Sequence, residues 1–162
     1  MCGIIGSLGN KQLLAKALAT IKYRGKDNQA ISSQGKGTFG HCLHAVVGII
    51  PQPLKNKGLF TSNCEIYNWK ELANQHQITA KNDADLIFQL LESNISTKTI
   101  INQLDGVFAF AYHNNDTITL ARDLFGVKPL WYSTNPFAFA SERKALETMQ
   151  LRNIQELNPR TI

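Results

Sequence analysis

Apolar positions along the chain follow two different periods, and the changes of period divide it into three blocks. The first block opens with "CGIIGSL", short and nearly all apolar, which predicts a strand. In "KQLLAKALATIK" the apolar residues Leu14, Ala17, Leu18 and Ile21 recur at helical spacing. "YRGKDNQA" reads as a polar turn around Gly25, "TFGHCLHAVVGII" as a β-rich run, and "IPQPLKNKG" as a loop punctuated by Pro51 and Pro53. "LFTSN" adds a short strand. The second block is helical: "YNWKELANQH", then "DADLIFQLLES" behind Asn82 as N-cap, then the shorter "TKTIINQL". Past Gly106 strands return. "VFAFAYHN" and "TITLARD" predict a hairpin across "NDT", and "PLWYS" and "FAFA" predict another across "TNP". Ser141 reads as the cap of a last helix, "SERKALETM", with Glu142 and Glu147 offering partners to nearby basic residues.

Strands, then helices, then antiparallel strands predict an α+β protein and not a β-α-β alternation. "GIIG" and "VFAFAY" are apolar on both faces, which suits two stacked sheets sandwiched between helical layers. The length of 162 residues, 43% of them hydrophobic, gives one domain over 1–162 with a real core and leaves two domains cramped. The formal charge of +5 raises the question of nucleic acid. The lysines and arginines are dispersed, however, and no aromatics interleave with a basic stripe, so the charge reads as a solvated or docking surface. Cys2, Cys42 and Cys64 show no CxxC spacing, which suits free thiols in a reducing compartment. "HCLH", from His41 to His44, lacks a second ligand pair at finger-like spacing, so no metal is expected. Neither a secretory signal nor a bilayer-spanning run is present, and a cytoplasmic protein with no membrane partner is the expectation.

The chemistry begins at "MCGIIG". Cys2 becomes the first residue once Met1 is removed, and then carries a thiol with pKa near ~8.5 beside an α-amine near ~7.7–8. That is the N-terminal-nucleophile pairing, in which the chain's own amine acts as the base. From these two residues alone, a small apolar residue opening a strand is the stronger reading, and the rest of the chain must decide. "MCGIIG", "YRGKDNQ", "NCEIYNWKEL", "NDAD", "LDGVFAFAY", "ARDLFGVKPLWY" and "FASERKAL" follow one another across nearly the whole chain. In that order and spacing the chain resembles class II glutamine amidotransferase domains, and most of all the glutaminase half of asparagine synthetases. The resemblance implies a four-layer αββα N-terminal-nucleophile hydrolase fold, two mainly antiparallel sheets between helices, that hydrolyses L-glutamine to glutamate and ammonia.

The resemblance also implies site residues. Cys2 is the nucleophile, and the oxyanion of its attack needs preorganised donors: the Asn63 side-chain NH₂ and the backbone N–H of Cys64. The family has Asn-Gly where this chain has Asn63-Cys64, so the second donor requires a backbone angle compatible with a Cβ. Read without the resemblance, Asn63 is equally a turn residue after a strand. Asp83 and Glu65 match the family's pocket carboxylates, Asp83 for the α-amine. Their plainer readings are an acid complementing a helix N-terminus and a surface charge. Arg24, before Gly25, matches an arginine that frames the pocket. Arg122, Asp123 and Lys128 read mainly as architecture, and His41, His44, His76 and His113 as structure or surface.

One element of the family pattern is missing. The arginine that grips the α-carboxylate of glutamine falls, depending on register, at Cys42 or Leu43, and neither can replace a guanidinium. Arg24, His44, Lys55, Lys57 or the backbone are the substitutes within reach of the sequence. Two functions therefore stand: an active glutaminase feeding an ATP-dependent synthetase domain, and a non-catalytic glutamine-binding or regulatory subunit that keeps the fold. Glutamine and that synthetase domain are the expected partners, with a second copy of the chain as a further one. No cofactor is expected, and the absence of a pyrophosphatase-type glycine-rich loop predicts no ATP binding by this stretch itself.

Overall fold

A computed structural model describes residues 1–162 apart from Asn10, Val47 and 160–162. In chain order the elements are β1 (Gly3–Leu8), α1 (Lys11–Thr20), β2 (Asn28–Gln34), β3 (Gly37–Leu43), β4 (Leu54–Lys55) and β5 (Leu59–Ile66). The helices α2 (Trp69–Gln75), α3 (Asp83–Leu91) and α4 (Thr97–Gln103) follow. The chain ends in β6 (Gly106–Asn114), β7 (Thr117–Arg122), β8 (Trp131–Thr134), β9 (Phe137–Ala140), α5 (Arg143–Thr148) and β10 (Gln155–Glu156). One sheet has the order β10-β8-β9-β1-β3-β2 and the other β4-β5-β6-β7, with antiparallel pairing throughout.

Side-chain alternation along the strands sorts the core into three layers. In β6, Phe108, Phe110 and Tyr112 pack with Leu86, Ile87 and Leu90 of α3, whereas Ala109 and Ala111 face the first sheet. In β1, Ile5 packs under Leu14 and Leu18 of α1, whereas Ile4 lies between the sheets with Phe39, Leu59 and Phe139. The expectation of strands covered on both faces is met by this division, helices on the two outsides and apolar side chains in the middle. Gly6 is required by that middle layer. A Cβ there would lie 2.3 Å from the Phe139 ring and 2.6 Å from Phe39, which meet edge to face with centroids 4.9 Å apart.

Four boundaries differ from those the pattern predicts. β2 forms in a polar stretch without apolar periodicity, because it is an edge strand held in register by its hairpin with β3, from Asn28↔Leu43 to Gln34↔Gly37. The positive φ of Gly35 (56°) makes the turn between them. β3 stops at Leu43 instead of running on through the apolar residues that follow. β5 continues beyond "LFTSN" to Ile66, since β6 pairs with it as far as Ile66↔Gly106. Ser141 does not cap the last helix, whose N-cap is Glu142. Its hydroxyl instead accepts a hydrogen bond from the Ile4 N–H at 2.9 Å, and its own N–H donates to the Ile4 carbonyl at 2.8 Å, extending the sheet. Asn82 does cap α3, accepting from the Asp85 N–H at 2.9 Å.

Candidate active site

The start of β1, the end of β3 and the end of β5 converge on a cavity of about 270 Å³, lined by Cys2, Leu43, Asn63, Cys64, Glu65, Asp83 and Lys128 among others. The β1–β3 register pairs Gly3 with Cys42, so the next step along both strands sets Cys2 beside Leu43. It also decides which of the two residues at the missing arginine's place in the sequence, Cys42 or Leu43, faces the cavity. Cys42 is fully buried against Leu14, Ala17 and Leu18 of α1, and Leu43 lines the cavity.

Cys2 is half-buried, and its Sγ accepts from the His44 N–H at 3.4 Å. Burial pushes its thiol up, opposed by that N–H, by the positive amino terminus and by Lys128. The other two thiols are pushed up as well. Burial pushes Cys42 up to about 11. Burial and then the Asp83 charge hold Cys64 well above the ordinary range.

Arg24 corrects an expectation. It does not line the cavity; its Nε donates to the Cys2 carbonyl at 2.9 Å and its Nη1 donates to Glu142 Oε1 at 2.8 Å. The 3-10 turn Lys22–Arg24 delivers it to the main chain of Cys2. Glu142 also accepts from Tyr23 and Lys144. Burial pushes its carboxyl up, but those three hydrogen bonds together outweigh it and hold the group below its usual value. Nε and Nη1 thus tie Arg24 to the Cys2 main chain and Glu142, while its buried Nη2 has no partner among the described residues.

Asn63 is 2% exposed, and its Nδ2 has no hydrogen-bond partner among the described residues. A buried amide donor left open costs stability unless something completes it. On the edge of β5 away from β6, the Ser62 N–H donates to Gln52 Oε1 at 2.7 Å and the Ile66 N–H to Asp83 Oδ2 at 3.1 Å. Strand alternation points the Cys64 N–H out of the same edge, between those two. Cys64 is not among the non-glycine residues with positive φ, which are Gln77, Asn115 and Gln150 among those described. The backbone condition for a Cβ in place of glycine is thus met. Gln52, which sequence reasoning missed, holds this edge in place from a loop where a single glutamine gives no signal.

Asp83 opens α3 and is pinned there: Oδ1 accepts from the Ala84 N–H at 2.9 Å, and Oδ2 accepts from Ile66 and, at 3.6 Å, from the Cys64 thiol. A carboxylate has about four acceptor sites, so it retains capacity for a cationic ligand. Glu65 lines the same cavity with a side chain 59% exposed, its Oε2 4.0 Å from Lys128 Nζ. Lys128 is the residue the sequence reading placed elsewhere. Arg122 and Asp123 are architecture as expected, each with its own set of partners. Arg122 donates to the Lys128, Leu157 and Gly126 carbonyls and to Glu156. Asp123 accepts from the N–H groups of Phe108, Phe125, Val127 and Lys128. That folded loop is what turns the Lys128 side chain into the cavity. Its one sequence signal is a lysine set among Val127, Pro129 and Leu130.

His41 is buried, with Nε2 3.0 Å from the Ser62 carbonyl, and burial pushes its pKa down to about 4. It is a neutral cross-link between the sheets, as the structural reading of the histidines expects. No group of three or more His, Cys, Asp or Glu suited to a metal occurs among the described residues, and none of their helices is long and apolar enough to cross a membrane.

Comparison with known proteins places this geometry in a family. A model described as glutamine amidotransferase domain matches residues 1–160. A provisionally named glutamine-hydrolyzing asparagine synthetase of Methanocaldococcus jannaschii is 31% identical over 201 aligned residues, covering 98% of this chain and 36% of that protein. The glutamine-hydrolyzing asparagine synthetase 3 of Bacillus subtilis is 32% identical over 170, covering 90% of this chain and 27% of its own length. The chain thus spans about a third or less of these two curated relatives. Among solved structures, the glutamine phosphoribosylpyrophosphate amidotransferase of B. subtilis superposes with a TM-score of 0.79 over 98% of this chain and 46% of that one. Its 20% identity speaks to the fold alone. Two antiparallel sheets between helices, a cysteine at the start of β1 and a match over 1–160 lead to one conclusion: the chain belongs to the glutamine amidotransferase domain family, with the N-terminal-nucleophile hydrolase fold.

Proposed function

We propose that this domain hydrolyses L-glutamine to glutamate and ammonia through a thioester on Cys2, and that the ammonia serves an ATP-dependent ligase of the asparagine synthetase type. The observation that carries the reading is the open Asn63 Nδ2, which lies with Cys2, Glu65 and Asp83 around one cavity. With Met1 removed, the α-amine of Cys2 takes the thiol proton and the sulfur attacks the γ-carbonyl carbon of glutamine. Asn63 Nδ2 and the Cys64 N–H receive the oxyanion. Collapse breaks the C–N bond, the proton returns to the leaving nitrogen, and ammonia departs. Water then attacks the thioester, releasing glutamate and the thiol. Arg24 and Glu142 fix the Cys2 main chain while its side chain reacts.

The loop leading to Lys128 supports a ligase partner at this end of the molecule. Leu124, Phe125 and Val127 are 50%, 77% and 53% exposed beside the cavity wall, more apolar surface than a free loop needs.

The test is covalent labelling by a glutamine-like electrophile, read by mass spectrometry, together with ammonia release. Protein lacking Met1 is expected to label at Cys2 and turn over glutamine, and Cys2→Ala to lose both. Cys42→Ala is expected to retain both. Labelling at Cys42 or Cys64, or full turnover by protein that uniformly keeps Met1, would overturn the mechanism. Glutamine binding with no ammonia release would instead identify a non-catalytic glutamine-binding subunit.

A further inference from the structure

Lys128 presents a feature that the reaction as described does not use. Its side chain is only 9% exposed, yet among the described residues its ammonium makes no hydrogen bond, and its one ionic neighbour is Glu65 at 4.0 Å. A stem this well covered holds the ammonium, with three donors and no acceptor among the described residues, at the cavity wall. Lys128 lines the cavity that holds Cys2. A site of this kind is completed by an anion.

The cavity also lacks a group that its ligand requires. Glutamine brings an amide to Cys2 and Asn63, an ammonium to Asp83 and Glu65, and a carboxylate for which Leu43 offers nothing. The other basic side chains near the site are less well placed. Arg24 is bound to Cys2 and Glu142 and lies outside the cavity lining. His44 lines the cavity as well, but its ring is 53% exposed to solvent and lies 3.9 Å from Asp27. Lys55 donates to the Ser33 carbonyl at 2.9 Å and Lys57 to the Glu92 carbonyl at 3.3 Å. The α-amine of Cys2 is needed as the base.

We infer that Lys128 binds the α-carboxylate of glutamine, taking over from β8's approach loop the task that a guanidinium at position 43 would perform from β3. Binding exchanges the distant Glu65 for the substrate carboxylate, and Glu65, largely exposed, turns to the substrate ammonium. One lysine gives a point charge and not a bidentate fork, so the contact is weaker and less directional than an arginine's.

This inference rests on the glutaminase reading, and its test compares glutamine with glutamine α-amide, in which a neutral carboxamide replaces the carboxylate. Lys128→Met is expected to raise the KM for glutamine about 10- to 100-fold, with kcat and the KM for the α-amide changed less than about threefold. Lys128→Arg is expected to restore the preference for glutamine, as is Leu43→Arg added to Lys128→Met. An equal loss for both substrates overturns the inference. So does a fall in kcat with the acid limb of its pH profile moved upward, which would assign Lys128 to the Cys2 thiolate. Calorimetry on Cys2→Ala protein separates this from the parent reading. Lys128-dependent glutamine binding without turnover in the parent protein sinks the hydrolase and keeps the contact. Turnover with a Lys128-independent KM does the reverse.

Discussion

Asn63 lines the cavity with Cys2, Arg24 holds the Cys2 carbonyl from outside that lining, and their expected defects differ. In the proposed mechanism the unpartnered Asn63 Nδ2 receives the oxyanion, so Asn63→Ala is expected to lower kcat by about 10²–10³ with a much smaller change in KM. Arg24 hydrogen-bonds to the Cys2 carbonyl and Glu142 and lies outside the cavity lining. Arg24→Ala should therefore also act on kcat, through a displaced nucleophile, and a defect confined to KM would return Arg24 to the substrate pocket. Steady-state kinetics on protein lacking Met1 reads both. The sequence names both residues but cannot say which of them lines the cavity. That depends on the 3-10 turn that carries Arg24 and on the continuation of β5 past Asn63.

At the scale of elements, α3 couples stability to the site. Its cap, Asn82, is followed directly by Asp83, which reaches back to the Ile66 N–H and so ties the helix to the edge of β5. Asn82→Ala is expected to cost about 1 kcal/mol in denaturant unfolding, the usual cost of losing such a cap, and to raise KM while sparing kcat. Unchanged stability would mean that Asp83 alone anchors the helix. This cap was legible because an Asn before an acidic first turn is a local signal. The strand β2 was not, because its polar residues "NQAISSQ" become a strand only through pairing with β3. The end of β3 was hidden for the converse reason. The apolar residues after Leu43 prolong the strand pattern, while the chain turns away to wall the cavity with Ala45 and Val46.

For the molecule as a whole, His41 makes the joint between the sheets sensitive to acid. Unfolded, a histidine takes up a proton near pH 6.5; folded, His41 does so only near about 4, because burial opposes the charge. Between those values the unfolded chain binds more protons, so stability is expected to fall as pH drops from 6.5 toward 4, by on the order of 3 kcal/mol. Glu142, held below its usual value, adds a separate loss as pH falls through its folded pKa. His41→Gln can still donate to the Ser62 carbonyl and is expected to flatten the first slope while leaving the second. Denaturant midpoints at a series of pH values measure both, and an unchanged slope in His41→Gln would show that His41 does not set it.

The sequence by itself determined what is local or strictly periodic. The helical spacing of α1, the capped start of α3, the hairpins of the last block and the doubly apolar strands follow from residues near one another in the chain. The cysteine behind Met1 and the ordered stretches around Asn63 and Asp83 likewise determined the family. Tertiary structure decided everything that depends on which face of a strand meets which neighbour. Side chains alternate along a strand, so a single step in register chooses between Cys42 and Leu43 at the cavity, and only pairing with β1 fixes that step. Loop folding is equally nonlocal: Asp123 gathers four backbone N–H groups, and that gathering carries Lys128 from an apparent surface turn into the wall of the site.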